Sequence, residues 1–143
     1  MRKLLYVLMI GLVLLTSACS IGSSPDKAVE ALFKAALKND EETYDKIAGG
    51  DSKMAGSIDL VAEVVRELGG VDKINFDTVK KKNLLKEVKE DLDDQYENPW
   101  EVVMVSRKSE DESKEVMIWI MEKVDGDYLV GDADTEYREN VLK

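Results

Sequence analysis

The sequence predicts an α+β domain, with N-terminal helices packed on a curved antiparallel sheet, after a cleaved signal peptide. Three observations carry this. Apolar residues recur at helical spacing from Val29 to Leu68, β-rich runs follow from Ile74 and again from Trp100, and Asp125-Gly126 offers a tight hairpin turn between two of those runs. Helices first and a meander afterwards sort into α+β rather than an alternating βαβ chain.

The first segment stands outside that domain. Arg2 and Lys3 precede an apolar run from Leu4 to Leu15 broken only by Gly11. A bilayer span takes about 20 residues, so the shorter run, ending in small residues, reads as a secretory signal over residues 1–18. Leu15-Thr16-Ser17-Ala18-Cys19 resembles the lipobox of bacterial lipoproteins, although Thr16 stands where Leu is usual. The resemblance implies acylation of the Cys19 thiol, a palmitate-type anchor, and cleavage on its N-terminal side. An ordinary signal peptide ending near a cysteine is the alternative; the only cysteine of the chain falls directly after the apolar run, which favours the lipobox.

Cleavage removes Arg2 and Lys3 and no acid, leaving 125 of 143 residues with 18 basic against 30 acidic side chains, a charge of −12. Residues 19–24 then form the lipidated cysteine and a short tether, whose five residues from Ser20 to Ser24 reach at most about 18 Å. The domain proper is 25–143. Ser20 after the cysteine resembles the signal that sends Gram-negative lipoproteins to the outer membrane, on its periplasmic side. In a Gram-positive cell the same anchor leaves the protein on the outer face of the plasma membrane.

Ser24 can cap the first helix, Pro25 suits its first position and Asp26 complements its dipole. Val29, Leu32, Phe33, Ala36 and Leu37 lay one apolar stripe along it, and Asn39-Asp40 stop it. Asp40 to Ala48 reads as a second helix with Tyr44, Ile47 and Ala48 inward, ended by Gly49-Gly50. Met54, Ile58, Val61, Val65 and Leu68 mark a third. Ile74, Phe76 and Thr78 alternate as a strand. Lys80-Lys81-Lys82 reads as a solvated loop, and Leu84, Leu85, Val88 and Leu92 have helical spacing, so 84–96 is a helix or a partly helical loop that Pro99 ends. Strands are expected at Trp100 to Ser106, Val116 to Val124 and Tyr128 to Asp132, and a last helical turn in the tail from Thr135.

In the middle strand Val116, Ile118, Ile120 and Val124 point to one face, and Met117, Trp119 and Met121 to the other. Both faces are apolar, which helices on one side alone do not explain. Either segment 80–99, the tail or a second subunit covers the other face. Under the homodimer alternative the candidate interface is Met117, Trp119 and Met121.

The stretch Ser24-Pro25-Asp26-Lys27-Ala28-Val29 with Phe33 and Ala36, the acidic segment from Asp40 to Ile47, and Lys123-Val124-Asp125-Gly126-Asp127-Tyr128 resemble small bacterial lipoproteins of the NTF2-like (cystatin-like) superfamily. The charged stretch from Lys80 to Pro99 is longer than such chains usually carry. The resemblance implies a cone between sheet and helices, able to take a small apolar ligand. Tyr44, Met54, Ile58 and Phe76 are the candidate lining, with simple core packing as their alternative role.

Composition narrows the function. The chain carries 30 acidic against 20 basic residues, so a nucleic-acid surface is not expected. It has no histidine and one cysteine, which excludes Ser-His-Asp and Cys-His catalysis, histidine-ligated zinc and an internal disulfide. Asp125, Asp127, Asp132, Asp134 and Glu136 suggest calcium, but counting from Asp132 puts Tyr137 where the loop needs glycine and Lys143 where it needs glutamate, so a hairpin turn followed by an acidic tail is the favoured reading. No metal or other cofactor is expected. The best reading is a lipid-anchored, non-catalytic binding or accessory domain of the bacterial cell envelope. The alternatives are an acidic inhibitor or immunity lipoprotein that captures a basic envelope protein, and an isomerase or dehydratase working through a buried carboxyl.

Overall fold

The computed structural model describes residues 21–50, 52–109 and 115–143; Cys19 and the signal segment lie outside them. The chain forms helices α1 (Pro25–Lys38), α2 (Glu41–Ala48), α3 (Ser52–Ala55) and α4 (Ile58–Glu67), strand β1 (Ile74–Val79), helix α5 (Lys86–Gln95) and strands β2 (Trp100–Arg107), β3 (Glu115–Val124) and β4 (Asp127–Tyr137). The strands form one antiparallel sheet in the order β1-β2-β3-β4. The fold is α+β.

Local chemistry sets the helix ends. Ser24 is extended and makes no side-chain capping bond, so α1 starts on Pro25 and the Asp26 charge instead. Asn39 ends it in the left-handed conformation, φ 54°. Asp40 Oδ1 accepts the Thr43 N–H at 3.1 Å and starts α2. The single third helix expected from Met54 to Leu68 is two helices. Gly56 breaks it at φ 82°, and the Ser57 hydroxyl accepts the Leu60 N–H at 3.2 Å to begin α4.

The hairpin turn forms as expected, with positive φ at Asp125 (51°) and Gly126 (92°). The strand after it runs on to Tyr137, five residues beyond Asp132, because β3 is ten residues long and its first residue, Glu115, pairs with Tyr137. The tail keeps only a 3-10 turn at Arg138–Asn140. Between Ile120 and Met121 the partners step from Asp132 to Val130, leaving Gly131 as the extra residue of a bulge.

The sheet separates two apolar cores. On its first face α1, α2 and α4 bring Val29, Leu32, Phe33, Ile47 and Val65 against Val103, Val105, Trp119, Met121 and Val130. Phe33 sits centrally, its ring edge-on to Phe76 at 5.3 Å and to Trp119 at 5.4 Å. On the second face Leu84, Leu92 and Val141 pack against Val102, Met104, Val116, Ile118 and Ile120. The covering of that face therefore comes from the chain itself, through α5 and the tail.

Main-chain bonds sew the cover together. Leu85 N–H donates to the Val141 carbonyl at 2.9 Å, Lys143 N–H donates to Asn83 at 3.0 Å, and Leu84 bridges Leu142. Trp100 joins the cover to β2: its indole N–H donates to Asp93 Oδ1 at 3.2 Å, and Lys81 Nζ lies 3.9 Å from the ring centroid. At the other end of the chain, Ile21 packs on the first core, and Gly22 lies so close to Ala28 that a Cβ there would be 2.7 Å from the Ala28 Cα. Ile21 and Gly22, within the expected tether, thus pack against the folded domain.

Candidate functional site

Of the four expected pocket residues, Tyr44 belongs to the first core and Ile58 and Phe76 pack against it. Tyr44 is a core residue of α2, with its hydroxyl donating to the Gly56 carbonyl at 2.8 Å. Burial pushes its phenol up to about 12, with the neighbouring Asp45 charge adding to the effect. Met54 is 44% exposed on α3, Ile58 packs on the edge of the first core, and Phe76 lies edge-on to Phe33. A small pocket of about 220 Å³ does open between α4 and the sheet, but Phe33, Leu60, Val61, Val64, Met117 and Trp119 line it. None of Tyr44, Met54, Ile58 or Phe76 does.

The interface proposed for a dimer is likewise not a surface. Trp119 is 5% exposed, Met121 is fully buried, and Met117 packs against the same core beneath the helices. The side-chain alternation along β3 is as expected, but the face it assigns to these three is the face that α1, α2 and α3 occupy, with α4 packed on α1.

A wider groove of about 610 Å³ lies near the end of α4. Arg107 donates to the Glu67 carbonyl at 2.9 Å and Lys108 to the Asp72 carbonyl at 3.0 Å, so these basic groups tie the end of β2 to α4 and to the 3-10 turn before β1.

The site with binding character is on the second face. A groove of about 450 Å³ runs between α5 and β4, with Val102, Ile118 and Ile120 as floor and Val88, Leu92 and Val141 as walls. It exists because α5 and the tail cover β2 and β3 while β4 extends past them. Along β4 the second-face positions are Asp132, Asp134 and Glu136, which pair with Ile120, Ile118 and Val116. A row of carboxylates therefore borders an aliphatic floor, and Asp91 of α5 adds a fourth from the opposite wall.

Two of these carboxylates are oriented by their own strand. Asp132 Oδ1 accepts the Ala133 N–H at 2.8 Å and Asp134 Oδ1 the Thr135 N–H at 2.7 Å. Glu136 accepts from the Asn140 amide at 3.3 Å. Burial pushes the Tyr96 phenol up, and the charges of Asp132 and Glu122 add to it, so the field of this rim reaches the cover. Among the described residues no group of three or more side chains is arranged to hold a metal ion, no charged side chain is buried, and no helix is long and apolar enough to cross a membrane.

In the sequence Asp132, Asp134 and Glu136 stand out only as part of an incomplete calcium-loop pattern. The signal that identifies them is their spacing of two after the hairpin, which puts them on one face of a strand. Compared with protein-family models, curated proteins and solved structures, the chain matches none.

Proposed function

We propose that this chain is a lipid-anchored, non-catalytic binding domain of the bacterial cell envelope, held in the membrane through Cys19, with the groove between α5 and β4 as its ligand site. The groove itself carries the proposal: an aliphatic floor of Val102, Ile118 and Ile120 beside oriented, solvent-facing carboxylates in about 450 Å³, a size suited to a small ligand. General acid catalysis works best with a carboxyl desolvated enough to hold its proton near neutral pH. The groove acids are instead half-exposed or exposed, a setting for recognition. The NTF2-like kinship belongs to the same proposal and is supported by N-terminal helices packed on an antiparallel meander.

One membrane preparation tests it. Wild-type protein should take a palmitate label, fractionate with membranes and carry a small molecule visible by native mass spectrometry, whereas Cys19→Ala should lose label and membrane association. Unlabelled wild-type protein with unchanged fractionation removes the anchor, and turnover of a co-purifying molecule removes the non-catalytic reading.

A further inference from the structure

We infer that the α5–β4 groove takes a small cationic amphiphile, an aryl or alkyl body carrying a primary ammonium or guanidinium group. This rests on the proposed binding role of the groove and adds the chemistry of its ligand. The floor and walls, Val88, Leu92, Val102, Ile118, Ile120 and Val141, offer only aliphatic contact. The polar lining is Asp91, Asp132, Asp134, Glu136 and Asn140, which is four carboxylates and an amide with no lysine or arginine. None of the four acids is in an ion pair among the described residues; the pairs present are Lys27–Glu30, Lys34–Glu30, Lys86–Glu90 and Lys89–Asp93.

Geometry narrows the occupant. Alternate residues of a strand are about 7 Å apart, so the three carboxylates of β4 form a row and not a cluster around one point. A row suits an ammonium or guanidinium head, which hydrogen-bonds to one or two acids while its body lies across the floor. Each Asp carboxylate spends one oxygen on the N–H of the next residue, which fixes its direction and leaves the other oxygen to accept. The same two bonds occupy the Ala133 and Thr135 N–H groups on the edge strand, so a peptide adding to β4 as a fifth strand would first have to displace them. A side-on small molecule displaces nothing.

Isothermal titration of the lipidated protein in zwitterionic nanodiscs, with empty discs as blank, tests this with three probes of one body: 4-phenylbutylammonium, 4-phenylbutanol and 4-phenylbutyrate. The ammonium should bind at least tenfold more tightly than the carboxylate at low salt. In the Asp132→Asn, Asp134→Asn double variant, checked for an unchanged circular dichroism spectrum, that preference should fall by tenfold or more while the alcohol binds as before. Equal affinity for ammonium and carboxylate overturns the cation assignment and leaves the groove as a binding site. An undiminished preference in the double variant also overturns it, since the cation then sits elsewhere. Failure of all three probes to bind overturns both the assignment and the groove itself.

Discussion

A buried phenol whose hydroxyl ends on a carbonyl favours its protonated form, and Tyr44 is such a group. Its hydroxyl ties α2 to the Gly56 turn, and burial holds its pKa at about 12 against an ordinary value near 10. The folded state therefore keeps a proton that the unfolded chain loses, so the Tyr44 contribution is fully present below pH 10 and is lost as pH rises through 12. Tyr44→Phe should cost about 1 kcal/mol at pH 7, the net value of one hydrogen bond. It should also flatten the fall in stability between pH 10 and 12. Urea unfolding of both proteins at pH 7 and across that window measures this, and parallel curves would mean that the phenol titrates alike folded and unfolded.

At the scale of elements, α5 and the bulge in β4 depend on one another. Tyr96 follows α5 directly and lies over Gly131, where a Cβ would stand 2.7 Å from its Cε1 and 3.0 Å from its Cζ. Gly131→Ala should force the ring off the sheet and loosen the end of the cover, at about 1 to 3 kcal/mol, the usual range for overpacking. Chemical denaturation with Tyr96→Ala as comparison checks it, because the two costs should not add if both act by removing the same contact. The elements also show what a sequence reveals. The apolar residues on both faces of Val116 to Val124 require cover on both sides, and the helical spacing of Leu84, Val88 and Leu92 names one source of it. The end of β4 was hidden, since Asp132, Asp134 and Glu136 are poor strand formers that resemble a solvated tail. Only pairing with a ten-residue β3 makes them a strand. The break at Gly56 was hidden too, because Met54, Ile58, Val61 and Val65 keep a helical period across it. The inward direction of Tyr44 and the alternation that includes Phe76 are legible from periodicity, but periodicity gives a face and not the neighbour on it.

In the molecule as a whole, one sheet carries a helical layer on one face and a single helix with the chain's end on the other. The start of α1 lies beside β1, where the Thr78 hydroxyl donates to Asp26 at 3.3 Å, while the groove lies at β4, the opposite edge. The start of α1 and the groove are thus separated by the width of the sheet and lie towards its two faces; with the proposed anchor at Cys19, this would leave the groove open at the far edge. The second apolar face of the sheet is covered by the chain itself, and the acidic strip along β4 borders that cover, where the proposed ligand site lies. Amide chemical-shift mapping of the protein with 4-phenylbutylammonium tests this most directly. Shifts should concentrate at Val88, Leu92, Ile118 and Asp134; shifts confined to Leu60, Val61 and Val64 would place the site on the helical face and contradict the account.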